Sequence, residues 1–236
     1  MNLKFFLIVT LLLGCVNALV LDRNQLIKFY PKYSTNTEFD LTSLQIDSIS
    51  IDTFKNLTQI SSINLGYNEL TFINASLFKD LNQLKNLAFF SNKLVHLDKN
   101  SFAGLGQLKI LSLAANRLVH LDSELFNDLT QLEYLFLSEN NLESLDSQIF
   151  SRLTQLTTIW LYKNRLHTLD SILFSKLTQL YEVRLHQNNL IVIDRNVFLG
   201  LVNLQMVYLY ENPICLVQPS SVKQLCSANP RCTIFI

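Results

Sequence analysis

A constant spacing of 24 residues between seven asparagines constrains the fold of this chain more than any other feature of its sequence. The asparagines are Asn68, Asn92, Asn116, Asn140, Asn164, Asn188 and Asn212. Apolar residues occupy positions −8, −5, −3, +2, +5, +10 and +13 around every one of the first six, although hydrophobic residues make up only 49% of the chain. A fixed period of this length indicates a solenoid, in which each coil buries its apolar face against its neighbours.

The spacing within one repeat predicts the path of each coil. Two apolar residues that lie two positions apart, such as Leu111 and Leu113, place their side chains on the same face of a short strand. The asparagine that follows turns the chain, and its amide is suited to bonding the backbone groups of a buried turn. One Phe per coil, at +10, is expected to fill the space beneath the sheet. We expect eight parallel strands, because a degenerate first repeat surrounds Phe39 and carries Leu44 in place of the asparagine.

The residues that define one repeat carry a resemblance to a known family. The block from Leu108 to Leu129, L-x-x-L-x-L-x-x-N-x-L-x-x-L-x-x-x-x-F-x-x-L, resembles the 24-residue "typical" leucine-rich repeat of extracellular proteins. The resemblance implies an α/β-type repeat solenoid, a horseshoe with a parallel β-sheet on its concave face and short turns or helical segments on its convex side. It also implies that the concave face serves in protein recognition. The chain then divides into an N-terminal cap (residues 19–35), a repeat array (36–211) and a C-terminal cap (212–236).

Residues 1–18 have the features of a secretory signal peptide. Lys4 precedes an apolar run over residues 5–13, and Val16-Asn17-Ala18 suits cleavage after Ala18. Because the apolar run is too short to span a bilayer, we expect no membrane span and a secreted, extracellular chain.

Two sequons fit an extracellular location. They begin at Asn56 and Asn74, which are candidate glycosylation sites.

The N-terminal cap is expected to cover the first coil. The segment from Leu19 to Ser34 contains no cysteine, and we expect Lys28 and Lys32 to protect the open edge of the sheet.

The cysteine count predicts one disulfide in the C-terminal cap, whose sequence resembles a shortened cysteine-bearing cap of secreted leucine-rich repeat proteins. Cys15 leaves with the signal peptide, so the mature chain keeps Cys215, Cys226 and Cys232. An oxidising compartment favours one bridge among these three, with three possible pairings. The remaining thiol is either buried and inert or links the chain to a second copy or another protein in a disulfide-bonded dimer.

The side chains of the concave face can be identified from the sequence, because they lie at −6, −4 and −2 from each asparagine. In the C-terminal half these positions carry Tyr, Trp, Arg and Met, which are enriched at the cores of protein interfaces. The predicted partner-binding residues are Tyr134, Phe136, Trp160, Tyr162, Glu182, Arg184, His186, Met206, Tyr208 and Tyr210. The alternative interpretation is that these aromatic residues only stack on one another and stiffen exposed strands.

One row on this face has a specific predicted geometry. Phe136, Trp160, Arg184 and Tyr208 share the −4 position in four successive coils. Since neighbouring strands lie about 4.8 Å apart, the guanidinium of Arg184 is expected to lie between the rings of Trp160 and Tyr208.

Catalysis and metal binding have weaker support. Ser138 and His186 share a column but lie two coils apart, about 9–10 Å, whereas a nucleophile and its base need to be about 3 Å apart.

A column of side chains at +6 suggests Ca²⁺, but each member precedes a short turn whose free N–H groups it can cap. The column consists of Asp98, Asp122, Asp146, Asp170 and Asp194, with Asn74 in the same register. His96 and His120 also share a column, yet two imidazoles do not make a metal site. We therefore predict no catalytic residue, no metal and no cofactor.

These features favour recognition over chemistry. The 19 basic and 19 acidic side chains cancel, which gives no electrostatic reason to expect a nucleic-acid partner. The leading interpretation is a secreted, non-enzymatic protein that binds an extracellular protein or glycan on its concave face, in an innate-immune, cell-surface or matrix role. The alternative is a structural or adhesive matrix component that associates with itself.

Overall fold

The computed structural model of the protein describes residues 19–218, 220, 222, 224–226 and 229–236. The predicted signal peptide, with Cys15 and its cleavage site, lies outside the described residues. Within them, no helix is both long and apolar enough to cross a bilayer.

A parallel β-sheet of nine short strands runs along one side of the molecule. In spatial order its strands are β2 (Glu38–Asp40), β4 (Ser62–Asn64), β5 (Asn86–Ala88), β6 (Ile110–Ser112), β7 (Tyr134–Phe136), β8 (Thr158–Trp160), β9 (Glu182–Arg184), β10 (Met206–Tyr208) and β11 (Thr233–Phe235). From β4 to β10, residues 24 apart are paired, as Leu111 with Leu135. The solenoid with a parallel sheet that the sequence predicts is confirmed, and its eight predicted strands are extended by a ninth, β11, from the C-terminal segment. The convex connections of the array are turns.

The core is a stack of identical layers, because each coil contributes the same apolar positions. Leucines at −5 and −3, such as Leu135 and Leu137, are fully buried beneath the sheet. The Phe of each coil is also buried. The rings stack continuously from Phe102 to Phe198, with centroids 6.2 Å apart between Phe126 and Phe150. Phe78 instead packs edge-on against Phe89. The +5 position departs from the pattern in two coils, where Leu121 and Leu145 are only partly buried.

The repeated asparagine bonds two neighbouring coils together. The side-chain amide of Asn140 donates to the carbonyl of Leu113 in the preceding coil at 2.9 Å and to those of Leu137 and Ser138 in its own coil at 3.1 and 3.2 Å. Its carbonyl oxygen accepts from the amide of Leu118 at 3.0 Å. The other six asparagines make the same contacts with the preceding coil; the bonds to the first coil come from Asn68.

The N-terminal cap closes the first coil in a way that the sequence did not predict. Strand β1 (Leu19–Leu21) pairs in parallel with β3 (Ile46–Ile49), and α1 (Arg23–Phe29) follows, capped by Asp22, which accepts from the amide of Gln25 at 2.7 Å.

The hydroxyl of Tyr30 bonds the backbone at the edge of the main sheet. It donates to the carbonyl of Asp40 in β2 and accepts from the amide of the same residue, both at 2.8 Å. A tyrosine hydroxyl can do both because it is a donor and an acceptor. The role of Lys28 and Lys32 at this edge stays a prediction.

The C-terminal cap contains α2 (Pro213–Val217) and one disulfide. Cys226 and Cys232 are bonded, and Cys215 is a free thiol that donates to the carbonyl of Leu209 at 3.1 Å. Of the three pairings that the sequence left open, the structure therefore has the one between the two cysteines nearest the C-terminus. The chain then enters β11, which lies beside β10.

Candidate partner-binding site on the concave face

The predicted row at the −4 position forms a continuous line across the concave face. The ring centroids of Phe136 and Trp160 are 4.5 Å apart. The guanidinium carbon of Arg184 lies 4.4 Å from the ring centroid of Trp160 and 5.1 Å from that of Tyr208. The guanidinium is thus placed between two aromatic rings, as the register of the strands predicts.

Glu182 holds two members of this row in place. One carboxylate oxygen of Glu182 accepts from the indole Nε1 of Trp160 at 3.2 Å and also from the Nε of Arg184. Because Trp160 and Arg184 lie on neighbouring strands, the carboxylate ties β8 to β9 above the sheet. Arg184 is about one third exposed, so the row is accessible to a partner while its side chains are already fixed.

A second row at the −2 position runs beside the first. His186 is stacked between Tyr162 and Tyr210, at centroid distances of 4.5 and 4.4 Å. Burial, together with the nearby charge of Arg184, lowers the pKa of His186, and the Nδ1 atom has no hydrogen-bond partner among the described residues. A neutral imidazole between two tyrosines makes this row flat, aromatic and uncharged.

The C-terminal cap adds a residue that the repeat pattern could not reveal. Phe235 of β11 stacks on Tyr208 with centroids 4.4 Å apart and planes within 9° of parallel, which extends the −4 row by one strand. Phe235 lies outside the 24-residue spacing, so only the pairing of β11 with β10 brings it there. Tyr134 and Met206, at −6, border the same face, and the tyrosine is exposed. We call the ten predicted residues together with Phe235 the concave aromatic band.

The N-terminal half of the concave face lacks such a band. Its outward positions are mostly small or polar side chains, from Ser62 to Ala114. The one aromatic side chain at these outward positions is Phe90. Its ring lies so close to Gly66 that a Cβ atom at Gly66 would be only 2.4 Å from it. The aromatic character of the face is therefore concentrated in the last four coils and the cap.

The other candidate sites show structural contacts. The carboxylates of the +6 column accept backbone amides two residues later, as Asp122 does from Glu124 at 2.8 Å. No group of three or more His, Cys, Asp or Glu suited to a metal occurs within the described part of the chain. Tyr162 stacks against His186, and the hydroxyl of Ser138 has no hydrogen-bond partner among the described residues, so no serine–histidine pair is formed.

The two candidate glycosylation sites lie on the surface. Asn56 and Asn74 are both exposed, and the side chain of Asn74 accepts from the amide of Ser76 at 3.0 Å. Glycosylation of either residue stays a prediction.

The leucine rich repeat family model matches four overlapping segments, residues 37–94, 70–118, 106–166 and 154–214. No curated protein sequence matches the chain. A chain in the crystal structure of a TLR13–ssRNA13 complex is similar with a TM-score of 0.75 and 28% identity, over 82% of this chain and 27% of that one. A chain of the Toll–Spätzle complex of Drosophila is similar with a TM-score of 0.70 and 21% identity, over 89% of this chain and 31% of that one.

This chain therefore spans about a third or less of the two chains that it resembles. The likeness to Toll, at 21% identity, is a likeness of fold alone. The family assignment rests on the repeats themselves, which the family model matches from residue 37 to residue 214. The chain belongs to the leucine-rich repeat family.

Proposed function

We propose that this protein is a secreted, non-enzymatic recognition protein that binds an extracellular protein or glycan through the concave aromatic band. The observation that carries the proposal is the placement of Arg184 between Trp160 and Tyr208, with Glu182 bonded to both Arg184 and Trp160. Trp, Tyr and Arg are the residues that most often dominate binding energy at interfaces.

Preorganisation supports a binding role for this row. A long arginine side chain normally loses rotamer freedom when a partner fixes it, and that loss weakens binding. Here the stacked rings and the carboxylate already hold Arg184 in one position. Clusters of half-exposed aromatic side chains are uncommon on proteins without partners, which also favours a binding surface.

The charge of the band favours a neutral partner over a nucleic acid. The chain from the TLR13 complex was solved with ssRNA13, and the one from the Toll complex with Spätzle. In this protein the positive charge of Arg184 is paired with Glu182, and His186 has a lowered pKa. Binding to phosphates depends on unpaired Lys and Arg side chains, so we propose a protein or glycan partner.

Substitutions on the band test the proposal. The protein is used to capture a partner from the extracellular fluid of its source, and the affinity of the captured partner is then measured by surface plasmon resonance. We expect Trp160→Ala and Arg184→Ala each to weaken binding roughly 5–30-fold, which corresponds to about 1–2 kcal/mol. RNA oligonucleotides serve as a second probe and are expected not to bind.

A matched control comes from the N-terminal half of the same sheet. Asn86 is an exposed outward residue of β5, and Asn86→Ala should leave affinity within about twofold of the unsubstituted protein. If Trp160→Ala and Arg184→Ala leave affinity unchanged and lower only the melting temperature, the band is architectural and the proposal is wrong. Assembly of the protein alone with rising concentration, measured by sedimentation velocity, would favour the matrix alternative instead.

A further inference from the structure

A polar groove lies next to the concave aromatic band, on the edge of the sheet where the chain enters strands β7 to β10. Its volume is about 510 Å³, within the range of small-ligand pockets. We call it the strand-entry groove and define it by Tyr134, Thr157, Gln179, Tyr181, Glu182 and Gln205. Four of these residues precede the strands, at −9 and −7 from the asparagine, so they are outside the outward strand positions considered above.

The lining of the groove contains no lysine, arginine or histidine. Its one carboxylate, that of Glu182, is already paired with Arg184 on the concave face. An anionic ligand such as a phosphate or a sulfated sugar would find no positive charge in the groove, and a cationic ligand would compete with Arg184 for Glu182. The charge of the lining therefore favours an uncharged ligand.

The groove is a local departure from the repeat. At the −7 position, three earlier coils carry charged side chains, Lys85, Lys109 and Glu133, and the last two of these form an ion pair at 2.7 Å. The next three coils carry uncharged side chains at that position, Thr157, Tyr181 and Gln205. The −7 position is thus uncharged in the three coils that supply most of the groove.

The groups that line the groove combine flat aromatic faces with amides. Tyr134 and Tyr181 are 37% and 40% exposed, and their hydroxyls make no hydrogen bond within the described part of the protein. The side-chain amides of Gln179 and Gln205 are likewise unbonded to the described residues, so each can donate and accept at the same time. The C–H groups of a sugar ring pack against the electron-rich face of an aromatic ring, and pairs of sugar hydroxyls match the donors and acceptors of an amide.

The backbone beneath the groove is already fixed. The carbonyl of Thr157 accepts from the amides of Tyr181 and Glu182 at 2.8 and 3.0 Å, and the carbonyl of Tyr181 accepts from those of Gln205 and Met206 at 2.9 and 3.1 Å. A ligand would therefore meet a preformed floor, which reduces the ordering that binding requires.

We infer that the strand-entry groove is a subsite for a neutral oligosaccharide of two to four sugar units, in which the rings of Tyr134 and Tyr181 pack against sugar faces and Gln179 and Gln205 bond sugar hydroxyls. The inference rests on the proposed recognition function, because Tyr134 and Glu182 belong to both the groove and the concave aromatic band. It narrows the ligand at this edge of the sheet to an uncharged glycan.

The test uses a panel of neutral trisaccharides (cellotriose, laminaritriose, mannotriose and N,N′,N″-triacetylchitotriose) with a heparin-derived tetrasaccharide as the anionic probe. Saturation-transfer NMR identifies the sugars that bind the full chain, and calorimetry measures their affinity. We expect at least one neutral trisaccharide to bind and the heparin fragment not to bind. The double substitution Gln179→Ala with Gln205→Ala should weaken that binding about tenfold or more, as the loss of two net hydrogen bonds implies.

The repeat supplies a matched control. Gln107 occupies the same −9 position as Gln179 three coils earlier, is exposed, and lies outside the groove. Gln107→Ala should leave sugar affinity within about twofold. All three glutamines are surface residues without side-chain hydrogen bonds to the described residues, so the variants are expected to fold as the parent does, and thermal unfolding checks this.

Three results would overturn the inference. Binding of the heparin fragment alone, or of none of the neutral sugars, would exclude a neutral-glycan subsite. Sugar binding that Trp160→Ala removes and the glutamine pair leaves intact would place the sugar on the concave aromatic band, in which case the proposed function stands and the groove is not the site. A different result would contradict the proposed function, namely that Trp160→Ala and Arg184→Ala leave the affinity for the captured partner unchanged.

Discussion

At the scale of single residues, the repeated asparagine stabilises the fold more than its small side chain suggests. Asn140 is 7% exposed and bonds four backbone groups in two coils. Asn140→Ala leaves the amide of Leu118 buried without a partner. Each of the three carbonyls loses one of the two hydrogen bonds that it accepts, because each also bonds a neighbouring asparagine side chain or backbone amide. We therefore expect the free energy of unfolding to fall by roughly 1–3 kcal/mol. Urea unfolding followed by circular dichroism measures the change.

The adjacent asparagine is the control for that substitution. Asn141 is partly exposed and its side chain has no hydrogen bond to the described residues, so Asn141→Ala should change stability by less than about 0.5 kcal/mol. Equal effects of the two substitutions would contradict the structural role of the repeated amide. Amide hydrogen exchange should also quicken in the coils on both sides of Asn140, because stability in a solenoid is shared between neighbours.

At the scale of elements, the first strand of the main sheet depends on one tyrosine. Strand β2 has an open edge, and the hydroxyl of Tyr30 bonds both backbone groups of Asp40 there, while its ring packs edge-on against Phe39 at 4.8 Å. Tyr30→Phe keeps the ring and removes the hydroxyl. We expect it to lower the free energy of unfolding by roughly 1 kcal/mol and to increase aggregation, because an exposed strand edge can pair with another chain. Thermal unfolding and light scattering measure the two effects.

A second tyrosine of the N-terminal cap, Tyr33, provides a control for the general effect of removing a tyrosine hydroxyl. Tyr33 lies under the guanidinium of Arg23, 5.4 Å from the ring centroid, and its hydroxyl has no hydrogen bond to the described residues. Tyr33→Phe should therefore leave the free energy of unfolding and the extent of aggregation, measured by light scattering, close to those of the parent protein. The edge-protecting role of Tyr30 fails if both variants behave alike.

At the scale of the whole molecule, the free cysteine bears on whether copies of the chain become linked. Burial raises the pKa of the Cys215 thiol, which therefore remains protonated and slow to react near neutral pH. Its bond to the carbonyl of Leu209 also directs the thiol into the cap. We expect the purified protein to migrate as a monomer in non-reducing electrophoresis, with one thiol that reacts with Ellman's reagent rapidly only after unfolding.

The variant Cys215→Ser completes this test. It should migrate as the parent does and lose the thiol that appears on unfolding. A reducible dimer in the parent that is missing from Cys215→Ser would show that the cysteine links two chains, which contradicts the prediction.

The sequence by itself determined which residues of successive coils lie side by side. A constant 24-residue spacing places equivalent residues of successive coils side by side, so the strands, the buried Phe column and the position of Arg184 between Trp160 and Tyr208 all follow from counting along the chain. The physical reason is that a parallel sheet in constant register converts a fixed sequence distance into a contact between neighbouring strands.

The tertiary structure decided what lies outside that spacing. Phe235 stacks on Tyr208, Tyr30 bonds Asp40, and Cys226 rather than Cys215 bonds Cys232, because chain segments with no common period fold against the ends of the array. The stacking of coils also overrides a local preference. The residue before each repeated asparagine, such as Glu139 at φ 57°, is left-handed without being glycine. That conformation costs about 1–2 kcal/mol, and the inter-coil bond from the amide of Glu139 to the carbonyl of Tyr162 at 2.9 Å helps to hold it.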